Sequence, residues 1–507
     1  MVLGALLFGD KRVDYPDWAK NSALLNNLVL AAAGAALLAG GMCVWRRWLS
    51  GRAVLQKILS SGFYPLLCAM TMALLLVQIF IARNLFFTVG WDVAIVTGTA
   101  EELWAGRGGI GRFFYYSQYP NNVGIVYVLT MVFRMGSWLG LEIDRYFVLI
   151  LADCVLISLS GFVSALSVKR LTGNPKAGLL AFGLFAGLIG INPWMVVPYT
   201  DTYSILFPVL TFYFYLCAKK ADKLWMEILM GGMAGLSGMA GYFVKPSGGL
   251  VLIAAAGYEA LLLVTEKGRR RKAALLLGMF LAAFVISRGM RLHMLRATES
   301  DLDENMQFSY AHYLMMGLNE ENTGAYWSED YAFSGSQPDQ KTRMRENLRI
   351  VKERINRYGA AGCSEFFLKK LLVNYNDGTF AWEKEGGFEL SERSAAATPA
   401  RQSIRRLLRS GTDWFGYYAS FAQAVWVMVL CAVPLAGLAW KRDGFQTDGE
   451  YVIRVSLMGS FLFVMLFEAR ARYLYNMAPM YVVCAAAGIW KLYLRGRNIL
   501  CCMKQGK

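Results

Sequence analysis

Histidine is almost missing from this chain: among 507 residues there are two, His293 and His312. Common zinc sites draw on several His or Cys ligands, so the composition argues against a zinc hydrolase centre. Nucleotide signatures are missing as well. No P-loop, GxSxG elbow or dinucleotide fingerprint occurs, which argues against ATP-driven transport by this chain alone. Of nine cysteines, only Cys363 falls in the long polar segment, so neither a disulfide framework nor a CxxC metal pair is expected. No internal repeat is detected, and no cleavable leader. Met1 to Phe8 is a brief apolar stretch followed by Asp10, Lys11, Arg12 and Asp14, and the first long helix is expected to serve as the insertion signal.

Charge is also scarce, at 17% of residues, while 56% are hydrophobic. That is too apolar for a soluble domain and too long for one core. Apolar runs recur at about 27–45, 62–82, 122–140, 147–168, 177–197, 203–218, 225–243, 247–265, 273–287, 417–439, 451–467 and 473–490. Several approach the ~20 residues of a spanning helix. In hydrocarbon every backbone N–H and C=O is satisfied within the segment, and a barrel would instead show alternating strands of about 10 residues. The expected fold is an all-α polytopic membrane protein with about 11–13 transmembrane helices. Its expected divisions are an N-terminal membrane module (1–293, with an external loop 83–121), an extracytoplasmic segment (294–416) and C-terminal helices (417–507).

The net charge of +16 does not make a nucleic-acid face, because the basic residues fall in short clusters beside apolar runs. The positive-inside rule places Arg46 to Lys57, Lys219 to Lys223, Lys267 to Lys272, Lys441–Arg442 and Arg495 to Lys504 in the cytoplasm. It leaves 83–121, the junctions near 200 and 245, 294–416 and 468–472 outside. Between 122 and 203 the alternation fails, since three apolar runs join two stretches assigned to one side. One of the three is then a short or re-entrant element.

Within 294–416, residues 308–332 read as an aromatic, Gly/Asn-rich loop. Residues 340–372 have helical spacing at Leu348, Val351, Ile355 and Tyr358.

Polar residues gather at the external ends of the runs. Asp92 opens a stretch with Val93, Val96, Ala100, Leu103 and Trp104 at helical spacing, which predicts an amphipathic helix lying in the interface. An acid there is either an N-cap or a reactive group. Tyr119, Asn121 and Asn122 bring an aromatic ring and two amides to the mouth of a span; amides suit sugar recognition, and aromatic belts explain tyrosines without it. Asn192-Pro193 and Pro198 break a helix before Tyr199 and Asp201. A carboxylate at such a depth points to a wet cavity. Lys245 follows a helix whose glycines 232, 235, 238 and 241 permit tight packing; it pairs inward or snorkels to the interface. Glu468, Arg470 and Arg472 lie where topology disfavours positive charge, so the arginines suggest a phosphate, the alternative being a local Glu468–Arg472 pair. Arg288 and Arg291 share a helix face with the same potential role.

In this order and on one side, these elements resemble the GT-C superfamily of integral membrane glycosyltransferases. That group includes protein O-mannosyltransferases and lipid A aminoarabinose transferases. The resemblance rests on Asp92, on Tyr119-Pro-Asn-Asn122, on Asp201 after a helix-breaking proline and on Glu468-x-Arg-x-Arg-Tyr473. It extends to bacterial members through Tyr242-Phe-Val-Lys-Pro246 and Tyr313-Leu-Met-Met-Gly-Leu-Asn319. Asp92 differs from Asp-Glu members in having no acidic neighbour. The resemblance implies transfer of a sugar from a polyprenyl-phosphate donor to an envelope glycan or protein acceptor, at the external face of a bacterial-type plasma membrane. Asp92 and Asp201 would be catalytic, with Lys245, Arg470 and Arg472 on the donor phosphate. Tyr119, Asn121, Asn122, Tyr199 and Glu468 would contact substrate. No cofactor and no metal ligands are assigned, and room is left for a divalent cation. The competing readings are a transporter or flippase, and a polymerase of lipid-linked glycans.

Overall fold

The computed structural model describes residues 16–44, 62–385, 389–391, 398–439 and 447–505. The basic clusters at 46–57 and 441–442, and the first residues, lie outside that set. Every described apolar run is helical. In chain order the first helices are α1 (Asn27–Val44), α2 (Phe63–Leu85), α3 (Trp91–Trp104), α4 (Phe114–Gln118), α5 (Asn122–Trp138) and α6 (Arg145–Thr172). Then come α7 (Pro175–Phe185), the one-turn α8 (Thr200–Tyr203), α9 (Leu206–Lys220), α10 (Leu224–Val244), α11 (Leu250–Thr265) and α12 (Arg270–Ala297). The polar segment holds α13 (Tyr310–Gly317), α14 (Ser328–Gly335), α15 (Gln340–Tyr375), α16 (Trp382–Glu385) and α17 (Pro399–Leu408). It is followed by α18 (Phe415–Ala439), α19 (Thr447–Leu466) and α20 (Ala478–Gln505). Among the described residues, 8 helices are long and apolar enough to cross a membrane. The other apolar runs form shorter or less apolar helices.

The element that breaks the alternation is α5. Its start, Gly124, packs against the Phe243 carbonyl at the end of α10. Its far end meets α3, where Trp104 Nε1 donates to Ser137 Oγ at 3.0 Å. The next residues belong to that same end of the bundle: Arg145 pairs with Glu101 at 2.8 Å, and Phe147 packs edge-on against Phe86 at the end of α2. Both termini of α5 therefore lie at one end, with α3 alongside, and α6 begins the next crossing. The sequence alone leaves three candidates because α5 is as apolar as a short span.

Beyond α7 the chain turns in a π-helical stretch, Ala186–Gly190. Asn192 then caps a short 3-10 turn, accepting from Trp194 N at 3.1 Å. At the opposite, lysine- and arginine-rich end, buried charges are paired, as charges among apolar helices must be. Lys219 bridges Glu259 at 2.9 Å and Asp448 at 3.4 Å, Tyr215 donates to Glu259 at 2.6 Å, and Tyr258 donates to Asp448 at 2.8 Å. This lattice ties α9, α11 and α19 together.

Two expectations for the polar segment are corrected. Residues 308–332 contain the helices α13 and α14 where a loop was expected. In α15, which breaks at Gly359 (φ 60°), Ile355 is exposed, and the inward stripe is Arg343, Asn347 and Val351. The helix itself is where the spacing puts it, and Val351 and Tyr358 pack with Met315, Leu318 and Phe366. Beside that apolar cluster Arg343 donates to the carbonyls of Ser334, Asn305 and Gln337, and Arg354 pairs with Asp330 at 2.7 Å, so polar residues share the inward face.

The glycines of α10 divide by neighbour. A methyl on Gly235 would meet Ala283 Cβ at 2.8 Å, and one on Gly238 would meet Leu252 Cβ at 2.6 Å, whereas Gly232 faces open space. Gly238→Ala is expected to lower thermal stability by about 1–3 kcal/mol through overpacking. Gly232→Ala should leave the unfolding midpoint unchanged or raise it; unfolding of both variants in detergent, compared with wild type, checks this.

Candidate functional site

Asp92 lies at the second residue of α3 and does not cap it. The capping position is Gly90, and the Asp92 carboxylate turns instead toward Tyr199, whose hydroxyl donates to Oδ2 at 3.3 Å. Trp91 before it has left-handed backbone, φ 45°, a conformation that costs a non-glycine residue about 1–3 kcal/mol. Its ring packs on Tyr199, edge-on at 5.1 Å, and on the Arg472 guanidinium, 4.4 Å from its centroid. Burial raises the Asp92 pKa above its ordinary 3.8, opposed by the nearby Arg472 and by hydrogen bonds from Tyr115 and Tyr199.

Asp201 is the hub of the neighbouring charges. One carboxylate oxygen pairs with Lys245 Nζ, and the other lies 3.5 Å from Arg472 Nε. Lys245 does not snorkel, since its side chain is 11% exposed. A further acid, Glu385, joins the two arginines, at 2.7 Å from Arg472 Nη1 and 3.3 Å from Arg470 Nε. The local Glu468–Arg472 alternative is not realised. Ala471–Met477 is a 3-10 helix rather than an α-helix, and Glu468 accepts from Tyr473 Oη at 2.9 Å. Burial raises the Glu468 pKa, opposed by that bond and by Arg470 and Arg472.

Three segments carrying these groups are clamped by one amide. Asn476 Nδ2 donates to Ser204 Oγ at 3.1 Å and to Ser247 Oγ at 3.0 Å, locking the turns behind Asp201, Lys245 and Arg472. Two buried donors, Trp91 Nε1 and Arg472 Nε, make no directed hydrogen bond among the described residues, the latter facing Asp201 Oδ2 at 3.5 Å as an ion pair.

The remaining predicted residues spread outward. Asn122 is buried and supports Tyr115, donating to its hydroxyl at 2.6 Å, while Asn121 is exposed and donates to Asn122 Oδ1 at 3.0 Å. Tyr119 packs on Tyr115 at 5.2 Å and edge-on against Phe308 at 5.4 Å. Arg288 and Arg291 are exposed on α12, and Arg288 sits over Phe284 without joining the cluster. His312 is buried in the polar segment, stacked on Phe308 at 4.1 Å, with burial lowering its pKa to about 4. Among the described residues no group of three or more His, Cys, Asp or Glu converges to hold a metal.

Glu385, Asn476 and Lys370 were not singled out from sequence. The available signal for Glu385 was the aromatic Phe380-Ala-Trp382 inside a polar segment. That stretch dives into the core, where Trp194 Nε1 donates to the Phe380 carbonyl at 2.9 Å. Lys370 donates to the carbonyls of Gly317 and Phe467, the latter at 2.6 Å, tying the polar segment to the loop that carries Glu468 and the arginines.

A family model described as conserved hypothetical integral membrane protein matches residues 26–491. No curated protein matches the chain. Among solved structures, it is similar to the archaeal oligosaccharyltransferase AglB from Archaeoglobus fulgidus in complex with an inhibitory peptide and a dolichol-phosphate. The TM-score is 0.44 and the identity 12%, over 82% of this chain and 50% of that one. It is also similar to ArnT from Cupriavidus metallidurans bound to undecaprenyl phosphate, with TM-score 0.32 and 14% identity over 86% of this chain and 78% of that one. The chain spans about half the length of the archaeal protein.

Burial lowers the Lys370 pKa to about 7 from 10.5, partly offset by Glu468. Between those values the unfolded chain binds a proton that the folded chain does not, so folding stability is expected to rise with pH across about 7 to 10.5. Lys370→Met should flatten that rise, and unfolding midpoints of wild type and variant across the interval check it.

Proposed function

We propose that this chain, which belongs to the family of conserved hypothetical integral membrane proteins, is a glycosyltransferase that takes its sugar from a polyprenyl-phosphate carrier. The observation that carries the reading is a carboxylate, Asp92, facing a set of cations that two other carboxylates hold in place. Such a site has a base and an anion receptor side by side. Transport would call for charges along a path between the two ends, whereas the buried ion pairs here form separate clusters at opposite ends, one around Asp201 and one around Glu259.

In the proposed reaction Asp92 accepts the proton of an acceptor hydroxyl as that oxygen bonds to the anomeric carbon. The bond from that carbon to the phosphate oxygen breaks, and the electron pair leaves with the lipid phosphate. Arg472, Arg470 and Lys245 stabilise the departing anion, and in a water-poor site such fixed charges act strongly. Asp201 and Glu385 orient these cations. A single base, with no nucleophile placed to form a covalent intermediate, suits one displacement with inversion. Tyr199 fixes the Asp92 carboxylate, while Tyr119, Asn121, Asn122 and Glu468 border the acceptor side.

Sidedness follows from the opposite end of the bundle. Lys219, Lys220 and Arg269 to Lys272 lie there, and the positive-inside rule assigns that end to the cytoplasm. The site then faces the outside of a bacterial-type plasma membrane, where nucleotide sugars are absent and a lipid-linked donor is the available one. The acceptor is a cell-envelope molecule.

Asp92→Asn is expected to lower sugar transfer from a radiolabelled polyprenyl-phosphate donor by about 10²–10⁴-fold at matched protein levels, with donor binding retained. Equal transfer by wild type and variant would remove Asp92 from the chemistry. Because the base must be ionised and its pKa is raised, the wild-type rate should fall as pH drops through a value above 3.8. Tyr199→Phe, which removes a bond to the ionised form, should move that limb to higher pH; a pH–rate profile of kcat/KM for both proteins tests the sign.

A further inference from the structure

One wall of the site is made almost wholly of tyrosine. Tyr119 and Tyr331 both pack edge-on against Phe308, at 5.4 and 5.6 Å, and Tyr326 lies 6.3 Å from Tyr331. Tyr331 is fixed by its hydroxyl, which donates to Gln118 Oε1 at 2.9 Å. Tyr313 joins them from α13. Tyr119, Tyr313 and Tyr331 are half-buried, whereas Tyr326 is 45% exposed, so the row runs from the open surface inward. At its inner end are two acids. Burial foremost keeps the phenols of Tyr119, Tyr313 and Tyr326 protonated, and neighbouring tyrosines at Tyr119 and Tyr326, then the Asp92 and Glu468 charges at all three, add to it.

The cations near this wall and its acids are already paired. Arg343 lies over Phe308 but gives its N–H groups to backbone carbonyls, Arg354 is paired with Asp330, Lys370 donates to two backbone carbonyls, and Arg470 and Arg472, which act on Glu468, are held by Glu385 and Asp201. The groups left facing inward are ring faces, phenol hydroxyls and two carboxylates. Carboxylates only accept hydrogen bonds when ionised, so they favour a ligand with many hydroxyl donors and repel an anion. Tyrosine gives flat apolar area with a polar tip, which fits the C–H face and hydroxyl rim of a pyranose. A peptide backbone offers one N–H per residue and matches two carboxylates less well.

We propose that the acceptor enters along this tyrosine row and is a carbohydrate chain without acidic groups. The inference rests on the transferase reading and narrows its acceptor. Tyr326 and Tyr331 receive outer sugar rings, Tyr119 and Tyr313 an inner ring, and Glu468 orients the terminal sugar so that one hydroxyl reaches Asp92.

The test uses the full chain in lipid nanodiscs and saturation-transfer NMR. The probes are neutral hexasaccharides of glucose, mannose and galactose, an oligogalacturonate, and a Ser/Thr-rich peptide. At least one neutral hexasaccharide is expected to bind, with the anionic sugar and the peptide weaker. Tyr326→Ala should weaken that binding roughly tenfold, while Tyr326→Phe, which keeps the ring, should retain it. Preference for the peptide or the anionic sugar, no binding of any neutral saccharide, or indifference to Tyr326→Ala would overturn the proposal. The same preparations are assayed for consumption of polyprenyl-phosphate sugars. Consumption without saccharide binding overturns the acceptor class and keeps the transfer reaction; saccharide binding without consumption of any donor does the reverse.

Discussion

Asp201 holds Lys245 with one carboxylate oxygen and faces Arg472 with the other, and Glu385 continues the chain of charge to Arg470. Breaking one partner of such a buried arrangement leaves an uncompensated charge, which typically costs several kcal/mol. Most of the architecture at this end serves that lattice. The π-helical turn and Asn192 deliver Asp201, the glycine-lined end of α10 delivers Lys245, and Asn476 fastens both to the arginine-bearing turn. The polar segment contributes Glu385 through α16 and braces the arginine loop through Lys370.

The lattice also shapes the chemistry of Asp92. Arg472 lies over Trp91 and pulls against the burial that raises the Asp92 pKa, so the proposed base and the proposed anion receptor share one cation. Left-handed backbone at Trp91 is tolerated where its ring packs on both Tyr199 and Arg472. Strain beside a functional carboxylate is where a protein is expected to depart from local propensity.

The membrane class and most helix positions were legible because a long apolar run has one inexpensive solution in hydrocarbon. Asp92, Asp201, Lys245 and Arg472 stood out for the converse reason, as charges at the ends of such runs. Three things were hidden. Helix α5 carries the composition of a span, and only contacts at both of its termini show that it returns to the same end. Glu385 is far in sequence from every residue it pairs with, and its segment looks like ordinary polar loop until Trp194 meets it. Arg343 and Asn347 share the inner face of α15 with Val351, because hydrogen bonds fill part of that small core beside its apolar cluster.

The central claim is that the cations gathered by Asp201 and Glu385 receive a lipid phosphate. The most direct measurement is native mass spectrometry of undecaprenyl phosphate binding to wild type and to Arg472→Gln, with folding matched by thermal midpoint. Charge-assisted hydrogen bonds of ~1.5–3 kcal/mol predict a loss of roughly ten- to hundredfold in affinity for the variant. Equal affinity for both proteins would contradict the account and return the lattice to a structural role.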